Sequence, residues 1–179
     1  MELSKAISGR RSIRKYKGDV KVTKEQVNEI IEAALMAPSW KNSETGRYYV
    51  VMEEENLSYV KENCLPPYNA GNTKDAPVLI VVTVAKGLSG FGADGKPANE
   101  LGDGWGLYDL GLQNQNMMLK AYEMGFGTLV MGLRDSDKLR AKLDIPADEI
   151  IVAVISLGAP DIEPNPPKRK EVEEVVKFF

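Results

Sequence analysis

Residues 77–85, PVLIVVTVA, form a continuous apolar run that is rich in β-branched side chains. Bounded by Pro77 and Gly87, such a run predicts a strand that is buried on both faces. The longest apolar stretch, 76–85, has only about half the length needed to cross a bilayer, so we expect no membrane partner. A second run of the same kind, EIIVAVISLG at 149–158, predicts a second buried strand.

The clearest helix signal lies upstream of these strands, in VTKEQVNEIIEAALMAP at 22–38. Thr23 and Gln26 have the spacing of a capping box, in which the two side chains satisfy free backbone N–H groups. Pro38 ends the predicted helix. Helical spacing predicts one buried face, made of Val27, Ile30, Ile31, Ala34 and Leu35.

The remaining patterns predict shorter elements around the buried strands. Strands are expected at 47–53 and 128–133, and helices at 2–8, 56–63, 105–125 and 135–143. Gly125 is expected to end the long helix as its C′ residue. Because helices and strands alternate without a regular βαβ rhythm, the chain predicts one mixed α+β domain over 1–179, with 160–179 as an extended C-terminal segment.

Composition excludes several kinds of active site. The chain has 179 residues, a formal net charge of −3, one cysteine and no histidine. Neither a Ser-His-Asp triad nor a structural zinc site can therefore be assembled, and we expect no metal. A pI near 5.2 argues against a nucleic-acid partner. The lone Cys64 and the absence of an apolar leader favour a cytoplasmic protein, whose chemistry would come from carboxylates, lysine, tyrosine or a bound cofactor.

Positive charge is concentrated in SGRRSIRKYKGD, residues 8–19. In an extended backbone, Arg10, Ser12 and Arg14 face the same side. Two guanidinium groups flanking a hydroxyl suit a phosphate monoester. A second basic cluster, PKRK at 167–170, could converge on the same anion. The alternative for each cluster is an ordinary solvated basic surface.

The glycine-rich segment 87–104 contains GFGADG at 90–95, which satisfies the G-x-G-x-x-G pattern of dinucleotide sites. That pattern requires a tight turn from a strand directly into a helix. Here the first glycine lies several residues beyond the strand, and Lys96 and Pro97 occupy the place of the helix. We therefore interpret 87–104 as a flexible loop or lid.

Four stretches, taken in order, resemble the FMN-dependent nitroreductases. They are RRSIRKYK (10–17), MAPSWKN (36–42), GFGTLVMGL (125–133) and ISLGAPDIEPNPPKRK (155–170). The resemblance covers essentially the whole chain. It implies a central mixed or antiparallel sheet flanked by helices, in an intertwined homodimer with flavin sites at the subunit interface.

The resemblance also implies a set of FMN-binding residues and no catalytic side chain. The ribityl phosphate would be bound by Arg10, Arg11, Ser12 and Arg14, with Lys168 and Lys170 closing over it. The second subunit would approach the flavin with Pro38, Ser39, Trp40 and Asn42. Asn69 would contact the pyrimidine edge, and the isoalloxazine would be lined by the backbone of Val130, Met131, Gly132 and Leu133. Where many relatives have S-Q-P-W, this chain has Ser43, Glu44, Thr45 and Gly46.

The implied activity is electron transfer from NAD(P)H through flavin N5 to a nitroaromatic, quinone or similar acceptor, by a ping-pong mechanism. Other flavin chemistry on the same fold, such as dehalogenation or oxidation, is the nearest alternative. A non-catalytic FMN-binding or sensing protein is a second alternative, and anion or RNA binding without flavin is a third.

Overall fold

A computed structural model describes residues 1–179. Its helices are α1 (Leu3–Gly9), α2 (Lys24–Leu35), α3 (Glu54–Tyr59), α4 (Pro67–Thr73), α5 (Gly104–Glu123) and α6 (Ser136–Leu143). Its strands are β1 (Gly46–Val51), β2 (Val78–Ala85), β3 (Gly127–Met131) and β4 (Glu149–Gly158). Short helical turns occupy Trp40–Asn42, Val60–Cys64 and Val172–Glu174. None of the helices combines the length and the apolar content that crossing a membrane requires.

The four strands form one sheet in the order β1-β2-β4-β3, and every neighbouring pair is antiparallel. The expected α+β fold is confirmed, and of the two expected kinds of sheet the antiparallel one is observed. The two continuous apolar runs are the central strands β2 and β4, with Ile80 opposite Ile155. Both strands are covered on both faces, which explains why neither shows an alternation of apolar and polar residues.

Two apolar layers cover the sheet. On one face, Ile80 and Val82 pack with Ile155 against helices α2 and α5. On the other face, Leu79 and Val81 pack with residues of α3, α6 and the turn Val60–Cys64. Successive residues of β2 therefore serve opposite layers, as the twofold side-chain alternation of a strand requires.

The capping box of α2 is confirmed. Gln26 N donates to Thr23 Oγ1 over 3.2 Å, and Thr23 N donates to Gln26 Oε1 over 2.9 Å. Three residues of the predicted face are buried and Ile31 packs against them, but Leu35 is 50% exposed. The prediction for Leu35 was wrong because it is the last residue of α2, where the helix leaves the core. It lies next to Met36, which is 78% exposed.

Other elements differ from expectation at their boundaries. Helix α4 was not predicted: Pro67 occupies a favourable first-turn position, but the glycine, asparagine and threonine that follow are weak helix formers. The helix expected at 56–63 begins two residues earlier and continues as a π-helical turn to Cys64. Gly125, at φ 83°, follows α5 in the left-handed conformation expected of a C′ residue.

The glycine-rich segment 87–104 contains no helix before α5 begins at Gly104. It folds back on itself, since Ala98 N donates to Gly90 O over 2.8 Å and Gly92 N donates to Lys96 O over 2.8 Å. Its base is fixed by a hydrogen bond from Gly87 N to Asp103 Oδ1, 2.7 Å long. The G-x-G-x-x-G pattern therefore lies in a hydrogen-bonded turn and not at a helix N-terminus.

Thr23→Ala removes one acceptor of the capping box, and we expect it to lower the free energy of unfolding by about 1 kcal/mol. Urea denaturation of the apoprotein measures this change. Thr23→Ser keeps the hydroxyl and should stay near the wild-type value. Equal stability of the alanine and serine variants would show that the box contributes nothing.

Candidate functional site

The basic N-terminal stretch, here called the strap (residues 10–17), lies along strand β3. Ser12 pairs with Thr128 in a parallel bridge, and Ile13 N donates to Thr128 O over 2.9 Å. Ile13 is buried directly over Gly127, so closely that a Cβ at position 127 would come within 2.3 Å of Ile13 Cγ1. The glycine is what allows the strap to dock.

Tyr16 fixes the other end of the strap. Its buried hydroxyl donates to Ile13 O over 2.9 Å and lies 2.7 Å from Ser156 Oγ on β4. The tyrosine has one proton, so the Ser156 hydroxyl must donate in return. Burial raises the pKa of Tyr16 well above its usual value, which keeps it protonated as a donor. The strap also pairs with the C-terminal segment, because Lys17 N donates to Ala159 O over 2.9 Å.

The strap and the C-terminal segment bring two groups of cations together. Because Ile13 points into the core, Ser12 and Arg14 point to the opposite side of an extended backbone. The pKa of Arg10 is lowered by its partial burial and then by the charges of Arg11 and Arg169. Arg169 of the second basic cluster, residues 167–170, is thus close enough to Arg10 to affect its charge.

Arg11 differs from its neighbours in the strap. Its Nη1 donates to Ser8 O over 2.6 Å and to Arg10 O over 2.9 Å, at the C-terminal end of α1. This guanidinium therefore satisfies carbonyl groups that the helix leaves free. Only the remainder of the group is available for the anion contact that the resemblance implies.

A cavity of about 530 Å³ lies beside Arg10. It is bounded by the start of β3 at Gly127, by Tyr122 of α5 and by the C-terminal segment from Pro160. Glu163 contributes an acidic group to the lining, but neither it nor any other carboxylate forms a salt bridge with Arg10. Arg10 is therefore not neutralised by a paired carboxylate, whereas Lys15 of the strap pairs with Asp161 over 3.1 Å.

The far end of β3 carries a second group of predicted residues. Asn69 of α4 is buried, and its Nδ2 donates to Leu133 O over 3.0 Å. Arg134 Nη1 donates to Gly132 O over 3.0 Å. Both carbonyl groups are thereby held from the protein side. Sequence reasoning missed Arg134, whose only signal was a cation directly after the predicted backbone site.

These two groups of residues share one edge of the sheet, because β3 is an edge strand. From Thr128 to Leu133 the extended chain spans about 17 Å. The cations lie near the first residue and Asn69 lies at the last. The structure therefore aligns the strap, α4 and Val130–Leu133 along one line.

Segment 38–42 lies elsewhere in the same chain. Trp40 N donates to Asp109 Oδ2 over 3.0 Å, and the Trp40 ring lies 4.8 Å from that of Trp105, near the start of α5. Gly9, the last residue of α1 and the one before the strap, packs instead against Tyr122 near the end of α5. The two positions on α5 are about 26 Å apart. One chain alone does not bring Trp40 to the strap.

The backbone is strained over residues 41–44, and residues 38–44 are here called segment 38–44. Lys41, Asn42 and Glu44 have φ angles of 47°, 55° and 48°. Asparagine tolerates this left-handed region, but lysine and glutamate rarely adopt it. Each of these two residues costs about 1–3 kcal/mol of folding free energy. The conformation is held by Ser39 Oγ, which accepts from Glu44 N over 3.1 Å. Strain of this kind is typical of functional sites.

Comparisons with known proteins identify the family. The sequence profile of the nitroreductase family matches residues 7–68 and 60–159. A protein of Methanothermobacter thermautotrophicus is 33% identical over 169 residues, covering 92% of this chain and 81% of its own. A Thermus thermophilus protein named NADH dehydrogenase is 30% identical over 193 residues, covering 93% of this chain and 91% of its own.

Solved structures share the fold. One from Exiguobacterium sibiricum, in complex with FMN, has a TM-score of 0.88 at 22% identity and covers 100% of this chain and 98% of its own. A nitroreductase family protein from Clostridium difficile has a TM-score of 0.80 at 24% identity, with 99% and 98% covered. The chain belongs to the nitroreductase family and is an oxidoreductase, which confirms the resemblance found in its sequence.

Gly127→Ala should displace Ile13, and with it the strap. We expect the free energy of unfolding to fall by about 1–3 kcal/mol, as overpacking of a closed site does. We also expect faster tryptic cleavage within residues 10–17. Gly71→Ala is the matched control, since nothing lies within 4 Å of a Cβ at that exposed position. Wild-type stability and cleavage in Gly127→Ala would contradict the docking described here.

Proposed function

We propose that this nitroreductase-family chain folds as one FMN-binding domain and is an FMN-dependent oxidoreductase whose site runs along β3. The supporting observation is the alignment of unneutralised cations at one end of this strand with backbone and amide groups at the other. The FMN complex of the Exiguobacterium sibiricum protein, which has the same fold, supports the choice of cofactor.

The donor set at the first end fits a phosphate monoester. Arg10, Ser12 and Arg14 offer forked cationic donors around a hydroxyl, and Lys168 and Lys170 flank Arg169 in the approaching tail. Burial, and then the charges of Arg11 and Arg169, lower the pKa of Arg10, and a dianionic phosphate would favour its charged form. The phosphate would therefore be bound where the chain has assembled charge without a protein counter-ion.

The groups at the second end fit the flat polar edge of a flavin. The backbone of Val130–Leu133 is held in place by Asn69 and Arg134, so its peptide groups are preorganised. When bound, FMN would supply the redox chemistry that no side chain here provides, by taking hydride from NAD(P)H and reducing an acceptor such as a nitroaromatic or a quinone in a ping-pong cycle. The chain itself would bind, orient and exclude water.

We further propose that the site needs a second copy of the chain. Within one chain, Trp40 lies about 26 Å along α5 from the contact of Gly9 with Tyr122, so this segment cannot reach the phosphate end of its own site. Pro38, Ser39, Trp40 and Asn42 would instead approach the flavin of a partner. An exposed apolar surface is available for such contact. Leu3 and Met36, which line one shallow cleft, are both exposed, as are Ile7 and Leu35. Apolar patches of this kind mark interaction surfaces.

Arg10→Ala combined with Arg14→Ala should weaken FMN binding at least 100-fold, because each charge-assisted hydrogen bond contributes about 1.5–3 kcal/mol. Quenching of FMN fluorescence by the apoprotein measures the affinity. Lys21→Ala with Lys24→Ala removes the same charge at exposed positions outside the site and should leave affinity unchanged. Wild-type flavin content in the arginine variant would refute the phosphate assignment.

Anaerobic addition of NAD(P)H to the FMN-loaded protein should bleach the absorption of the oxidised flavin, and a quinone or nitroaromatic should restore it. This experiment tests the proposed activity, because a flavin sensor would bind FMN without rapid bleaching. A yellow protein that NAD(P)H does not bleach would leave FMN binding intact and rule out the oxidoreductase cycle.

The two-copy site is tested by complementation. Chains with the Arg10→Ala and Arg14→Ala changes are refolded together with Trp40→Ala chains. If each site joins the strap of one chain to segment 38–42 of the other, half of the mixed dimers' sites are intact. An equal mixture should then recover about one quarter of wild-type activity. Activity no higher than that of the two parent variants would show that each site lies within one chain.

A further inference from the structure

Asp109 is a buried carboxylate that the proposed flavin site does not use. It lies in α5, is 3% exposed, and forms no salt bridge. A buried charge is costly unless it accepts hydrogen bonds. Its Oδ2 accepts two: one from Trp40 N over 3.0 Å and one from Ser89 Oγ over 2.6 Å.

The two donors belong to different parts of the chain. Trp40 lies in the segment that the proposed dimer brings to the flavin, and the buried Ser89 lies in the glycine-rich segment 87–104. A single oxygen atom therefore connects both segments to helix α5. Both donors are neutral, so the carboxylate acts here as an acceptor with two fixed partners.

Aromatic packing continues the same connection. The Trp40 ring lies against Trp105 at an interplanar angle of 49°, and Trp105 Nε1 donates to Asn99 Oδ1 over 2.9 Å. The glycine-rich segment is thus held at Asn99 to the same tryptophan pair, in addition to its contact at Ser89. The tryptophans, Asp109 and both segments form one packed unit at the start of α5.

Three buried side-chain polar atoms nearby do not offer an alternative anchor. Trp40 Nε1, Ser43 Oγ and Thr45 Oγ1 are all buried without a hydrogen-bond partner. The left-handed residues Lys41 and Glu44 lie in the same stretch. A strained conformation persists only where its surroundings determine it, and the bond from Trp40 N to Asp109 is the one that joins this stretch to a helix.

We infer that Asp109 is a positioning residue that sets the geometry of segment 38–44 relative to segment 87–104, and through it the shape of the space in which an acceptor meets the flavin. This inference rests on the proposed function, since it places segment 38–44 over the flavin of the second copy. Asp109 is not a catalytic residue: its bound oxygen faces a backbone amide and a serine hydroxyl.

The experiment compares Asp109→Ala with Asp109→Asn. The asparagine oxygen can accept both hydrogen bonds without a charge, so Asp109→Asn should resemble the wild type. In Asp109→Ala we expect the KM for the acceptor to rise at least about ten-fold, because a misplacement of about 1 Å can cost on the order of 100-fold. FMN affinity should fall by less than the acceptor KM rises, since the proposed phosphate ligands lie on the strap, away from this segment.

A second readout does not depend on flavin or activity. The chain has two tryptophans, Trp40 and Trp105, so the intrinsic tryptophan fluorescence of the apoprotein reports on this pair alone. Asp109→Ala should shift the emission to longer wavelength as water reaches the rings, and Asp109→Asn should not. This measurement still tests the inference if the wild-type protein binds no FMN. Failure of the inference can therefore be distinguished from failure of the proposed function.

Two further variants provide an independent test and a control. Ser89→Ala removes only the bond to the glycine-rich segment and should raise the acceptor KM in the same direction, which keeps the test valid if Asp109→Ala does not fold. Asp103→Asn is the control. It changes the carboxylate that accepts from Gly87 N in the same segment without touching Trp40, and should shift tryptophan emission little. Unchanged emission and KM in both Asp109→Ala and Ser89→Ala would overturn the inference. So would inactivity of Asp109→Asn with normal emission, which would indicate a role in proton transfer.

Discussion

The close contact between Ile13 and Gly127 is the constraint on which the site depends. Like charges along the strap repel one another and do not favour its docking on the sheet. The strap is held by the burial of Ile13 and Tyr16, which alternate with those charges. The absence of a side chain at position 127 lets the strap approach β3 until their backbones pair. Apolar residues thus provide the docking energy, while Arg10 and Arg14, which form no salt bridge, stay available to a ligand.

The same edge of the sheet brings the two groups of proposed FMN-binding residues into line. β3 begins beside the strap and ends beside α4, and a rigid extended strand fixes the distance between the two groups of ligands. Helix α5 has the complementary role. Its end contacts Gly9, just before the strap, and its beginning binds Trp40 through Asp109. Its length therefore keeps segment 38–42 away from the strap of the same chain, in agreement with the proposed contribution of a second copy.

Local signals made much of the fold predictable. The boundaries of β4 and the capping box of α2 follow from a continuous apolar run and from a three-residue spacing, and both are confirmed. Leu35 shows the limit of periodicity, because a helical pattern does not reveal where a helix leaves the core. Asp109 and Arg134 were missed for a different reason: their partners are distant in sequence or are backbone carbonyl groups, which leave no pattern in the sequence.

The claim that the strap and the tail bind a phosphate group is tested most directly by comparing two ligands that differ only in that group. Calorimetric titration of the apoprotein with FMN and with riboflavin isolates the phosphate contribution from that of the ring. With at least two charge-assisted hydrogen bonds to the phosphate, FMN should bind about 100-fold or more tightly than riboflavin. Equal affinities for the two ligands would show that these cations do not bind the cofactor.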